Sequence, residues 1–125
     1  MSGSQWVVER IVSITDGDTL RLVRRRVTHL DNLELTVRDG GPNGVAARLV
    51  WVDTPEKGTH PGWENARADL GSWVSAAPLP LTAYVYDGGA GWDRLLVDLI
   101  DAEGNSASQW LMVEKGWPPY IGAKA

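Results

Sequence analysis

The chain has no cysteine, which excludes disulfide staples, thiol chemistry and cysteine-ligated zinc. Phenylalanine is also absent, methionine occurs 2 times, and 7 tryptophans supply the large apolar surface instead. The 2 histidines, His29 and His60, are far apart in the sequence and read as surface or loop residues, not as metal ligands. No apolar run approaches a membrane span, and MSGSQWVVER lacks the basic start and apolar stretch of a secretory signal. A cytoplasmic location is the expectation, with secretion open if a leader has been removed. An excess of positive charge is missing too: a formal net charge of -4 and a pI near 5.0 argue against a protein that coats nucleic acid electrostatically. The basic run of Arg21, Arg24, Arg25 and Arg26 reads first as a solvated strand end.

What is present is the composition of an ordinary globular protein, with 43% hydrophobic and 22% charged residues over 125 positions. That length supports one domain, 1–125, and one core. WVVERIVSI and TLRLVRRRV are strand-like segments separated by the turn residues TDGD. LELTVR alternates, GGPNG turns the chain, and VAARLVWV reads as a further strand. After the proline- and glycine-broken DTPEKGTHPG, helical spacing of Trp63, Ala66, Leu70, Trp73, Val74 and Ala77 predicts a helix that ends before Pro78. LTAYVYD and RLLVDLI are two more strands, and Ser106 with Gln109 forms a capping box for a second helix closed by Gly116 and Pro118–Pro119. About five strands with two helices make an α+β protein dominated by β. A five-stranded barrel of the oligonucleotide-binding (OB) type is one option among several. Trp51, Trp63, Trp73 and Trp110 fall on strand or helix faces and read as core.

DGDT at 16–19 and VDTPE at 52–56 are, each alone, ordinary turns. Their weight comes from occurring in one order with Arg48 in ARLVWVDTPE and Arg94 in GWDRLL. Together these residues resemble the staphylococcal nuclease-like family, over a span from about Glu9 to Trp117. That resemblance implies the five-stranded OB-type barrel with two helices, here without the third, C-terminal helix of longer members. It also implies a calcium-dependent nuclease that hydrolyses phosphodiester bonds of DNA and RNA with little sequence preference and leaves 3′-phosphate ends. Single-stranded or unwound substrate and a monomeric enzyme are expected.

Carried over by motif, Asp18, Asp53 and the carbonyl of Thr54 are the expected calcium ligands, with Asp16 as a further possibility. Calcium accepts such a sparse set of hard oxygens when water and phosphate complete its shell. Glu56 is expected to orient or deprotonate the attacking water, and Arg48 and Arg94 to grip the scissile phosphate with their forked donors. Lys57, Trp92 and Tyr120 are candidate substrate contacts, the last two by stacking. One geometric demand follows. In an extended strand, at roughly 3.3 Å per residue, Arg48 and Asp53 would stand about 16 Å apart. Both serve one phosphate only if the chain bends within LVWV.

Trp92 and Asp93 depart from the family's usual Tyr-Gly before the second arginine, and Asp93 sets a negative charge beside Arg94. The segment 27–44 is an extended hairpin longer than the family norm. A nuclease-like module that binds nucleic acid or protein without cutting is therefore the alternative, and a structural or assembly domain is a third.

Overall fold

A computed structural model of the protein describes residues 4–59, 61–87 and 95–120. The elements are β1 (Ser4–Asp16), β2 (Thr19–Leu30), β3 (Leu33–Asp39), β4 (Val45–Leu49), α1 (Trp63–Ala76), β5 (Leu81–Asp87), β6 (Leu95–Ile100) and α2 (Ala107–Val113). The sheet order is β1-β5-β6-β4-β2-β3, and an additional β1–β2 pairing closes five of the strands into a barrel. The sixth strand, β3, lies outside that closure. β4 and β6 pair in parallel, and the other ladders are antiparallel. β1 serves both β5 and β2, and its ladder with β2 slips at Val8/Arg10, Ile11/Ser13 and Ile14/Asp16. Such irregularities give a strand the coil that closure requires.

The barrel is filled by alternating inward residues, among them Leu20, Leu22, Ala47, Leu49, Val97 and Leu99, all fully buried. α1 turns Ala66, Leu70 and Trp73 to this core, as the helical spacing predicts, and α2 adds Ala107 and Leu111. Each large side chain buried there contributes roughly 1.5–3 kcal/mol. α2 starts where the capping box places it: the Ser106 hydroxyl accepts from the Gln109 N–H at 3.1 Å. Buried Asp98 on β6 reinforces that start by accepting from the Ser108 N–H at 3.2 Å and from the Ser106 hydroxyl. Past α2, Gly116 has φ 76°, and the Trp117 N–H returns to the Leu111 carbonyl at 3.1 Å, a left-handed helix stop. Trp117 then donates its indole N–H to Asp69 at 2.8 Å, which fixes the chain after α2 against α1.

The basic run is structural. Arg24 pairs with Asp39 at 2.7 Å and covers the Trp6 ring at 4.1 Å. Arg25 faces Glu9 at 3.8 Å, Arg26 lies over Trp6 at 4.9 Å, and Arg21 donates to the carbonyls of Asn43 and Gly44, both at 2.8 Å. These arginines thus form a partly solvated strand surface: Arg24 is buried, Arg21 and Arg25 are half-buried, and Arg26 is exposed.

Candidate active site

The DGDT motif is the β1–β2 turn: Asp16 and Thr19 pair across it, leaving Gly17 and Asp18 at its tip. This tip is pressed into the protein. A Cβ on Gly17 would stand 2.5 Å from the Ala66 Cβ and 2.7 Å from Thr54 Oγ1, so the close approach of turn, α1 and Thr54 requires glycine. Asp18 is 3% exposed. Its carboxylate accepts from the Thr54 N–H at 3.1 Å, the Thr19 hydroxyl at 3.1 Å and Arg48 at 3.3 Å. The backbone is tied as well, with the Leu49 N–H donating to the Asp18 carbonyl at 2.7 Å.

Asp16, also buried, joins the same two segments: it accepts from the Asp18 N–H at 3.2 Å and from the Lys57 N–H at 3.1 Å. Both of its carboxylate oxygens are thus engaged by backbone donors, as a turn residue's would be. Lys57 contributes its main chain here, while the residue itself is exposed. Burial pushes the Asp18 carboxyl up to about 6; the Thr54 N–H and Arg48 lower it, and the Asp16 charge adds to the rise.

The bend demanded by the motif spacing is present. β4 ends at Leu49, Val50 and Trp51 form a bend, and Trp51 has φ 70°, a left-handed conformation that a bulky residue rarely takes. The turn brings Asp53 back to Arg48, at 3.7 Å from the same guanidinium nitrogen that contacts Asp18. The segment after α2 holds the bend from outside. The Asp53 N–H donates to the Pro118 carbonyl at 2.8 Å, Val52 bridges Pro119, and the Tyr120 N–H donates to the Trp51 carbonyl at 2.7 Å. Tyr120 thereby lies against Arg48, whose guanidinium is 4.4 Å from the centre of its ring.

Asp18, Arg48, Asp53, Thr54 and Tyr120 are therefore brought together, with Asp16 behind them. Glu56 is exposed, and among the described residues no hydrogen bond or ion pair ties its side chain to this cluster; its carbonyl accepts from the Thr59 N–H at 2.8 Å. Arg94 and Trp92, like Asp93 and His60, lie outside the described residues.

The expectation that Trp51 is core is overturned: it is 49% exposed, because the bend ends the inward–outward alternation that assigned it to the interior. Its ring meets Tyr86 at 5.1 Å, and Tyr86 meets Tyr84 at 6.1 Å, both edge-to-face. These exposed rings form an aromatic strip that starts at Trp51, whose carbonyl accepts from the Tyr120 N–H. The period-2 pattern of LTAYVYD, with Tyr84 and Tyr86 on one face, is the sequence signal for the strip's far end. Of the other tryptophans read as core, Trp73 is buried, and Trp63 and Trp110 are half-buried.

No protein-family model matches the chain, and no curated protein matches it significantly.

Proposed function

We propose that the protein is a calcium-dependent nuclease of the staphylococcal nuclease type, which cleaves phosphodiester bonds of single-stranded or unwound DNA and RNA. The observation that carries this reading is the convergence of Asp18 and Asp53 on one nitrogen of Arg48, at 3.3 and 3.7 Å. A turn and a loop, each ordinary alone, supply two carboxylates to the guanidinium that β4 presents at one spot on the barrel.

The donors this reading offers to calcium are few. Asp18 Oδ1 has one donor among the described residues, the Thr19 hydroxyl, and so keeps acceptor capacity, and Asp53 is more than half exposed. No group of three His, Cys, Asp or Glu side chains suited to a metal occurs among the described residues. The protein would thus offer Asp18, Asp53 and the Thr54 carbonyl, with substrate phosphate and water completing the shell. The cation, when bound, supplies Lewis-acid polarisation of a phosphate oxygen. Two buried aspartates, Asp16 and Asp18, beside one guanidinium leave the pocket short of positive charge, which is the condition a divalent ion relieves.

Arg48 is held as a phosphate ligand should be. Its own Nη1–H donates to the Leu49 carbonyl at 3.2 Å, and the Tyr120 ring backs its plane, so the fork is oriented before substrate arrives. Glu56, on the exposed loop two residues past Thr54, is available to take the proton of an attacking water. The exposed strip of Trp51, Tyr86 and Tyr84, which begins three residues after Arg48 in the chain, offers base-stacking faces, and stacking is indifferent to sequence.

The alternative, a module that binds without cutting, is favoured by one observation: among the described residues Glu56 has no partner that directs it at the Asp18–Arg48 cluster. Incubation with single-stranded DNA in calcium or in chelator separates the two, with Glu56→Gln and Arg94→Ala as controls. Calcium-dependent cleavage that both variants lose supports the nuclease. Binding with no cleavage above the variants transfers the assignment to the module.

A further inference from the structure

β3 is the outer strand of the sheet, paired among the described residues with β2 alone, and Leu33 through Arg38 are all exposed. An uncovered strand edge is a template for another strand. Its geometry can be read from the hairpin. The turn residues Asp31 and Asn32 have φ 52° and 69°, the two-residue loop whose twist suits flanking strands. Leu30 and Leu33, the pair that flanks it, is of the hydrogen-bonded kind, and the two kinds alternate along an antiparallel ladder. The N–H and C=O groups of Leu33, Leu35, Val37 and Asp39 therefore face β2. Those of Glu34, Thr36 and Arg38 face outward, away from the only strand that β3 pairs with among the described residues.

We propose that two copies of this chain associate through β3, edge to edge and antiparallel, about a two-fold axis at Thr36. The sequence LELTVRD is self-complementary in that register. Thr36 meets its own copy in a hydrogen-bonded pair, and Glu34 meets Arg38 of the second copy in another, twice by symmetry. All three outward-facing residues thus find outward-facing partners. Leu35 meets Val37 on the opposite face, so exposed apolar side chains cover each other. A shift of the axis to Leu35 or Val37 keeps a ladder but sets Glu34 opposite Thr36 or Gly40 and loses both ion pairs. The charges that protect an edge from indiscriminate pairing here select one register and one partner.

The intramolecular contacts leave this possible. Arg38 uses Nε toward Glu9 at 2.8 Å, which leaves the remaining guanidinium donors for Glu34 of the second copy. Glu34 is held by a 3.8 Å approach to His29, with both side chains about two-thirds exposed. The arrangement is an isologous interface, in place of the monomer expected from the sequence.

Sedimentation or light scattering over a wide concentration range tests it without reference to nucleic acid. The expected result is a concentration-dependent dimer. Glu34→Arg alone sets a second guanidinium opposite Arg38, and Arg38→Glu alone sets two carboxylates opposite each other. Each reversal is expected to weaken self-association about ten-fold or more. An equimolar mixture of the two variants restores complementary pairs at both contacts and is expected to re-form a dimer that neither variant forms alone. Thr36→Pro removes an outward N–H without touching the β2–β3 ladder and is expected to leave a folded monomer, with far-ultraviolet circular dichroism confirming the fold. A wild-type chain that stays monomeric throughout overturns the proposal. So does a dimer that both reversals leave intact, or a mixture that fails to re-form one.

Discussion

The guanidinium of Arg48 lies 4.4 Å from the centre of the Tyr120 ring, two residues far apart in the chain that meet because the segment after α2 bridges the bend after β4. The guanidinium sits over the aromatic ring, and one of its nitrogens contacts two carboxylates. A lysine in the same place keeps the charge but loses the fork and the stacking.

Arg48→Lys is therefore expected to lower kcat for single-stranded DNA by about 100-fold or more, the scale of removing one oriented donor from a transition state. Circular dichroism should be unchanged. Activity within about two-fold of the wild type would remove Arg48 from the phosphate-binding role.

The Asp18 carboxyl, raised to about 6 from 3.8, makes a signed statement about stability. The folded chain holds this proton more tightly than the unfolded one, so stability falls as pH rises from about 4 to about 6. Ionised Asp18 costs on the order of 2–3 kcal/mol at neutral pH when no cation is bound. Asp18→Asn keeps an acceptor for the Thr54 N–H and removes that cost. Urea unfolding in chelator should show the variant more stable than the wild type near pH 7, with the gap closing near pH 4. Asp101 contributes with the opposite sign. Burial raises its carboxyl, but hydrogen bonds from Asn105, Glu103 and Gly104 outweigh that and hold it low, so its contribution is lost as pH falls. Taking the difference between variant and wild type cancels it.

Calcium should invert the ranking. Ligand that binds only the folded chain stabilises it by about 2.7 kcal/mol at one hundred times its dissociation constant, so the wild-type melting temperature should rise with calcium near neutral pH. Asp18→Asn and Asp53→Asn should each abolish the rise. A rise of equal size in both variants would place the ion elsewhere.

Trp51 combines strain with exposure. Its φ of 70° costs on the order of 1 kcal/mol that glycine would not incur, and its edge contact with Tyr86 returns about 0.5–1.5 kcal/mol. Trp51→Gly is therefore expected to change the melting temperature little. Its effect should appear in oligonucleotide affinity, reduced by roughly 1–3 kcal/mol if a base stacks there. Fluorescence anisotropy in calcium with the Glu56→Gln background, which holds substrate uncut, measures it. Unchanged affinity would leave the strip without a part in binding.

Gly17→Ala should destabilise by about 1–3 kcal/mol, the usual cost of an overpacked methyl, because its Cβ meets backbone-anchored Ala66 and Thr54. Chemical denaturation measures this, and a neutral outcome would mean that the turn and α1 separate easily.

Much of the fold is legible in the sequence because the signals are local. TDGD between two apolar strands marks the β1–β2 turn, helical spacing marks α1, and Ser106 with Gln109 marks the start of α2. Those signals leave the barrel as one option among several, the resemblance singles it out, and the count of about five strands needs β3 as a sixth, outside the closure. The bend after Arg48 is legible only once the resemblance assigns Arg48 and Asp53 to one phosphate, because the distance along an extended strand then demands it. Trp51 is misread because VAARLVWV looks like one continuous strand, and nothing in that string shows the chain turning to a left-handed conformation at its seventh residue. Tyr120 at Arg48 depends on the Val52–Pro119 bridge, and Asp98 at the start of α2 on packing between elements. No local pattern encodes either.

The bridge to residues 118–120 has a consequence for the order of events during synthesis. The DGDT turn and the DTPE loop leave the ribosome early, but Asp53, Trp51 and Arg48 lack their outer support until Pro118 and Tyr120 follow. A nascent chain thus carries every motif of the site before it carries a finished one. If the proposed nuclease reading holds, the messenger and ribosome that make the chain are the nearest substrates, and the site would lack its outer support until translation has passed Tyr120.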